Sequence, residues 1–221
     1  MVRNNRGARP SGTRARAKSR VKALIPRRAD VSRKTRETAI HLVITLDGTG
    51  ASRIDSGVPF LDHMLTLLAK HGRMDIELAA EGDLAVDYHH LVEDVGIVLG
   101  QAVRTALGGG KGIERFGHAI VPIDEALALT AVDISGRGFL HSENAFAEGW
   151  IRDFDLGLFE EFFRSFAVNA GITLHIRMLS GVNPHHKAEA VFKSFARSLL
   201  AAVRIDPRRD DVPSTKGVLQ L

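Results

Sequence analysis

Two closely similar clusters, HHLVE at residues 89–93 and HHKAE at 185–189, stand 96 positions apart in this chain. Ahead of them the alternation Met74, Ile76, Leu78 returns as Ile172, Leu174, Ile176, at an offset of 98. The stretch between alternation and cluster is ten residues in the first copy and eight in the second. Self-similarity on this scale marks a duplicated supersecondary unit whose copies share a core. The 221 residues, 44% of them hydrophobic, leave room for two such units of roughly 90 residues each.

The elements fall in the same order in both copies. TAIHLVITLDGTG, ending in a Gly turn, and RMDIELAAEG alternate apolar and polar residues and read as strands, and ASRIDSG reads as a second short strand between them. VPFLDHMLTLLAKHG has apolar residues at helical spacing, opened by Pro59 and stopped by Gly72. From Asp87 a longer helix runs to the glycines after Leu107, with Val95, Leu99 and Val103 on one face. EALALTAVDISGRG, FLHSENAF and ITLHIRML are the strands of the second copy, and the stretches around LFEEFFRSF and HHKAEAVFKSF are its helices. The expected fold is α+β: an internally duplicated α/β unit, its sheets mostly antiparallel, with helices on one face. The expected division is 1–36 as a basic arm, 37–122 as the first repeat and 123–221 as the second.

Charge separates the arm from the rest. Residues 1–36 hold thirteen Lys or Arg and one acid, Asp30, so the net +4 of the chain leaves the remainder acidic. The segment has few apolar residues and reads as disordered. Its charge suits electrostatic contact with nucleic acid, and its Arg-rich, acid-poor character is that of an organelle transit peptide. The rest shows no aromatic-basic stripe, so nucleic acid is not an expected partner. No apolar run reaches eighteen residues, and none follows the first charges, so neither a membrane span nor a secretory leader is expected, and the expected location is cytoplasmic. Cysteine is absent, which leaves His, Asp and Glu as ligands for a metal.

On a helix, residues i and i+4 share a face while neighbours diverge by about 100°. His89 and Glu93 can therefore grip one ion while His90 points to another; His185, Glu189 and His186 repeat the pattern. A symmetric pair of sites follows. One takes His89, Glu93 and His186, and the other takes His185, Glu189 and His90, within one chain or across a subunit boundary. His63 in FLDHML and its counterpart Glu161 in LFEEFF, 98 residues on, supply a fourth ligand to the sites of His90 and His186 respectively. Mn²⁺, Fe²⁺ and Zn²⁺ all suit such donors. His71 lies on the helix of His63 and is a candidate pocket residue, whereas His41, His118, His141 and His175 lack matched partners. Lys193 is one turn beyond Glu189 on the same face.

FLDHML, DYHHLVEDVGI, IERFG, VDISGR, TLHIR, NPHHKAEAVFKSFARSL and PSTKGVL occur here in one order. Together they resemble the imidazoleglycerol-phosphate dehydratase family over about residues 33–221. The resemblance implies a hydro-lyase of histidine biosynthesis that converts D-erythro-imidazole-glycerol phosphate to imidazole-acetol phosphate. It further implies two Mn²⁺ ions per active site, a homo-oligomer of 24 subunits with sites at subunit contacts, and a fold like ribosomal protein S5 domain 2. It assigns acid-base catalysis to Glu37. It assigns the substrate phosphate to Arg115, Arg137, Lys193, Ser214 and Lys216. In several relatives a histidine ligand stands where this chain has Glu161, a harder donor that bears on metal preference.

The ligand set alone also suits a dinuclear metal hydrolase or a di-iron protein. Di-iron sites of that kind are built in four-helix bundles with Glu preceding His, whereas here His precedes Glu and strands separate the helices. A non-enzymatic reading, with structural metals and a nucleic-acid-binding arm, is disfavoured by the acidic remainder.

Overall fold

The computed structural model describes residues 26–146 and 149–219, together with Met1 and Leu221. Most of the expected arm, residues 2–25, lies outside the described residues.

The first copy runs β1 (Arg28–Lys34), β2 (Thr38–Thr45), β3 (Ser52–Asp55), α1 (Pro59–Gly72), β4 (Asp75–Gly82) and α2 (His89–Leu107). The second runs β5 (Phe116–Ile123), β6 (Ala126–Asp133), β7 (Phe139–Glu143), α3 (Leu158–Ala170), β10 (Thr173–Ser180) and α4 (Pro184–Val203), with a two-stranded insertion, β8 (Trp150–Ile151) and β9 (Phe154–Asp155), before α3. The sheets have the same topology, β1-β2-β4-β3 and β5-β6-β10-β7. In each, the first three strands are antiparallel. The fourth is parallel to its neighbour, as a strand returning through a helix requires. The α+β expectation, duplicated and mostly antiparallel, holds.

Two expectations need correction at their edges. Arg28–Lys34, placed in the arm, is a strand: it pairs with β2 from Arg28↔Thr45 to Lys34↔Ala39. Ala29 is buried, and Arg33 donates at 2.8 Å to the buried Asp94 carboxylate of α2. The second copy opens with β5 at Phe116, before the expected boundary at 123. Both strands lie at sheet edges, where charge and Pro122 blunt a free edge and obscure the strand pattern.

The helices join the halves. α2 packs on α3 and on its own sheet, and α4 packs on α1, β5 and β6. One hydrophobic core runs through both copies. The second half fills it with aromatics: Phe154, Phe159, Phe162, Phe163, Phe166, Phe192 and Phe195 are fully buried. The α2–α3 contact is close because α2 lacks side chains at Gly96 and Gly100, where a Cβ would stand 2.6 Å from the carbonyl oxygens of Phe162 and Phe166. These crossings set the N-termini of α2 and α4 beside helices of the opposite copy.

Candidate active site

α4 begins with an Asn183 cap whose side chain accepts the N–H groups of His185 and His186, and Pro184 occupies the first turn. The cap fixes both histidines at the helix start. His185 and Glu189, four residues apart, share a face, with His185 Nε2 3.1 Å from Glu189 Oε1. α1 packs on α4, and this brings His63 Nε2 to 2.9 Å from the same oxygen. Ligand atoms of His63, His185 and Glu189 lie within 4.8 Å of one another, the one group of three such side chains among the described residues. Phe60 stacks edge-on against His185 at 5.3 Å and restrains the ring.

Lys193 donates to Glu189 Oε2 at 2.5 Å. Burial opposes ionisation of Glu189, but hydrogen bonds from Lys193, His63 and His185 outweigh it and bring the carboxyl down to about 2. The group is thus an anion between two imidazoles and an ammonium. His71, on the last turn of α1, senses the same cluster: burial first, then the charges of Lys193 and Arg197, lower its pKa against the opposing pull of Glu189.

The first copy is looser. His89 Nε2 lies 3.8 Å from Glu93 Oε2, the expected pairing across one turn. Glu161 is turned to Arg164, 3.7 Å away, and does not close a three-member group with them. His90 and His186 stand apart from both sets. His90 Nδ1 is 3.0 Å from Asp83 Oδ2, and His186 Nδ1 is 2.9 Å from Glu125 Oε2 with Asp124 at 3.9 Å from its Nε2. Each carboxylate raises the pKa of the imidazole it faces. The expected grouping of His63 with His185 and Glu189 is present within one chain; His90 does not join it.

A cleft of about 420 Å³ gathers Arg115, Ser135, Arg137, Ser214 and Lys216. Arg115, at φ 71°, is anchored by Asp133 at 2.7 and 3.2 Å and by the Pro213 carbonyl at 2.9 Å. Four of the five expected phosphate residues therefore share one cleft, while Lys193 is with Glu189 instead. Glu37 is exposed just before β2, and its charge contributes to raising the pKa of His90.

The imidazoleglycerol-phosphate dehydratase family model matches residues 56–199. The chain belongs to the imidazoleglycerol-phosphate dehydratase family. The family's enzyme from Gluconobacter oxydans is 58% identical over 194 residues, covering 87% of this chain and 98% of that one. That from Nitrosomonas eutropha is 54% identical, covering 87% and 100%. The solved structure from Pyrococcus furiosus, in complex with (S)-C348, has a TM-score of 0.74 at 38% identity and covers 86% of this chain and all of that one. The Staphylococcus aureus structure has the same TM-score at 37% identity, covering 81% and 99%. The activity is accordingly that of a hydro-lyase of histidine biosynthesis, the dehydration of imidazoleglycerol phosphate. No helix among the described residues is long and apolar enough to cross a membrane.

Sequence reasoning missed the carboxylates behind the stray histidines. Asp83 is seven residues from His90 in a loop and left only a weak local signal; Glu125 is 61 residues from His186, and only the fold brings them together.

Proposed function

We propose that this dehydratase is metal-dependent, holding two divalent cations, Mn²⁺ foremost, between its duplicated helix starts. The observation that carries the reading is the convergence of His63, His185 and Glu189, two imidazole nitrogens and an anionic carboxylate, on one point. Such a hard-to-borderline donor set fits Mn²⁺, Fe²⁺ or Zn²⁺. His90 completes this set, and His89, Glu93, Glu161 and His186 form the other. Bound cations would supply Lewis acidity toward the nitrogens of the substrate ring.

The chain's own groups do the rest. Arg115, Arg137, Ser214 and Lys216 bind the substrate phosphate in their cleft by charge-assisted hydrogen bonds. Lys193 keeps Glu189 ionised, and His71, on the last turn of α1, lies near Lys193 and Arg197. Glu37 takes a C–H proton from the substrate side chain as its hydroxyl leaves as water, and returns a proton as the resulting enol becomes the ketone of imidazole-acetol phosphate. Because His90 and His186 stand apart from the ligand sets in one chain, they serve sites of neighbouring copies. Phe116, Ile120 and Phe139, 61, 54 and 55% exposed on the outer face of the second sheet, favour burial in an assembly, here taken as 24 subunits. The enzyme works in the cytoplasm.

The test offers imidazoleglycerol phosphate to the purified chain stripped of metal and then reloaded with Mn²⁺. Turnover that appears only on reloading supports the reading; equal turnover in chelator contradicts it.

A further inference from the structure

The two copies hold their stray histidines by carboxylates from different places. In the second copy the carboxylate is Glu125, at the β5–β6 turn. Its Oε2 faces His186 Nδ1 at 2.9 Å, and its Oε1 accepts the N–H groups of Val182 and Asn183 at 3.2 and 2.8 Å. The corresponding residue of the first copy is Glu37, which precedes β2 as Glu125 precedes β6, 88 residues earlier. Yet Glu37 does not hold His90. Asp83 does, from the loop after β4, where an offset of 98 puts Gly181 in the second copy. The carboxylate of Glu37 is thereby left exposed, while its carbonyl accepts the N–H of Asp83 at 3.1 Å.

Asp83 gives its Oδ2 to His90, 3.0 Å away. Its Oδ1 is buried with no hydrogen-bond partner among the described residues. A buried orphan acceptor destabilises the fold. A carboxylate whose one side-chain partner among the described residues is the imidazole points to a role for the histidine.

We propose that Asp83 is the positioning residue of His90: it takes the Nδ1–H, so that Nε2 is presented as a ligand, and in doing so it releases Glu37 for proton transfer. Glu125 does for His186 what Asp83 does for His90, and its commitment to three donors keeps it out of acid-base work. This rests on the metal-site reading above.

The experiment titrates Mn²⁺ into the full chain and into Asp83→Ala, Asp83→Asn, Glu125→Ala and Glu37→Ala, following free Mn²⁺ by its electron paramagnetic resonance, with melting temperatures taken without metal. Asp83→Ala weakens one of two sites about 10–100-fold, the usual effect of losing a ligand's outer partner. Its metal-free melting temperature stays within a few degrees of wild type, because the pair it loses is partly exposed. Asp83→Asn, which keeps a neutral acceptor, falls between Asp83→Ala and wild type. Glu125→Ala weakens the other site. Glu37→Ala binds both ions as wild type does but, assayed with imidazoleglycerol phosphate and Mn²⁺, loses turnover. Wild-type affinity at both sites in Asp83→Ala, or weakened binding in Glu37→Ala, overturns the proposal alone. A wild type that binds no Mn²⁺ removes the metal reading and the proposal with it.

Discussion

Asp75 shows how one side chain carries structure here. At the start of β4, its Oδ1 accepts N–H groups from Thr49, Gly50 and Ala51 at 2.8, 3.0 and 2.9 Å, closing the turn between β2 and β3. Burial alone would raise its pKa, but the hydrogen bonds from Ala51, Thr49 and Gly50 outweigh it and lower the value. A carboxyl whose folded pKa lies below the unfolded one stabilises above about pH 4 and loses that contribution as pH falls through the folded value. Asp75→Asn, which keeps an acceptor oxygen at a partly exposed site, should cost up to about 1 kcal/mol at neutral pH. The gap to wild type should narrow below about pH 4. Urea unfolding at pH 7 and pH 3 checks both parts, and a gap that stays constant with pH contradicts them. At Glu189, hydrogen bonds from Lys193, His63 and His185 hold an anion, and under the proposed metal site Glu189→Gln, nearly isosteric but neutral, should weaken Mn²⁺ binding at least tenfold in a calorimetric titration.

Among the elements, the α2–α3 contact sets local propensity against packing. Alanine at Gly96 or Gly100 would favour the helix by about 1 kcal/mol. The same Cβ would stand 2.6 Å from the Phe162 or Phe166 carbonyl oxygen. Overpacking of this kind costs about 1–3 kcal/mol and more where backbone must shift. Both alanine variants should melt below wild type, and a rise in melting temperature would show that the helices are not held this closely. The glycines are visible in the sequence, but what they meet is not. The same holds for the strands: β4 and most of β10 alternate because one face packs on helices, whereas β1 and β5 lie at edges and only the paired register reveals them. The β8–β9 insertion has no counterpart in the first copy, so the repeat gave no guide to it.

Across the molecule, duplication explains what could be read early. Periodicity alone placed His185 with Glu189 and His89 with Glu93, since one helical turn joins each pair. Copy symmetry placed His63 with the former. The parts that broke symmetry were hidden: Asp83 and Glu125 reach equivalent histidines by unrelated paths, and the cleft of Arg115, Arg137, Ser214 and Lys216 joins residues far apart in the chain. The most direct test of the paired cation sites is an anomalous difference map from crystals grown with Mn²⁺. It should show two peaks per chain: one ligated by His63, His185 and Glu189, and one beside His89 and Glu93, each completed by His90 or His186 of another copy. A map with no peak among these side chains, in a crystal that retains activity, would contradict it.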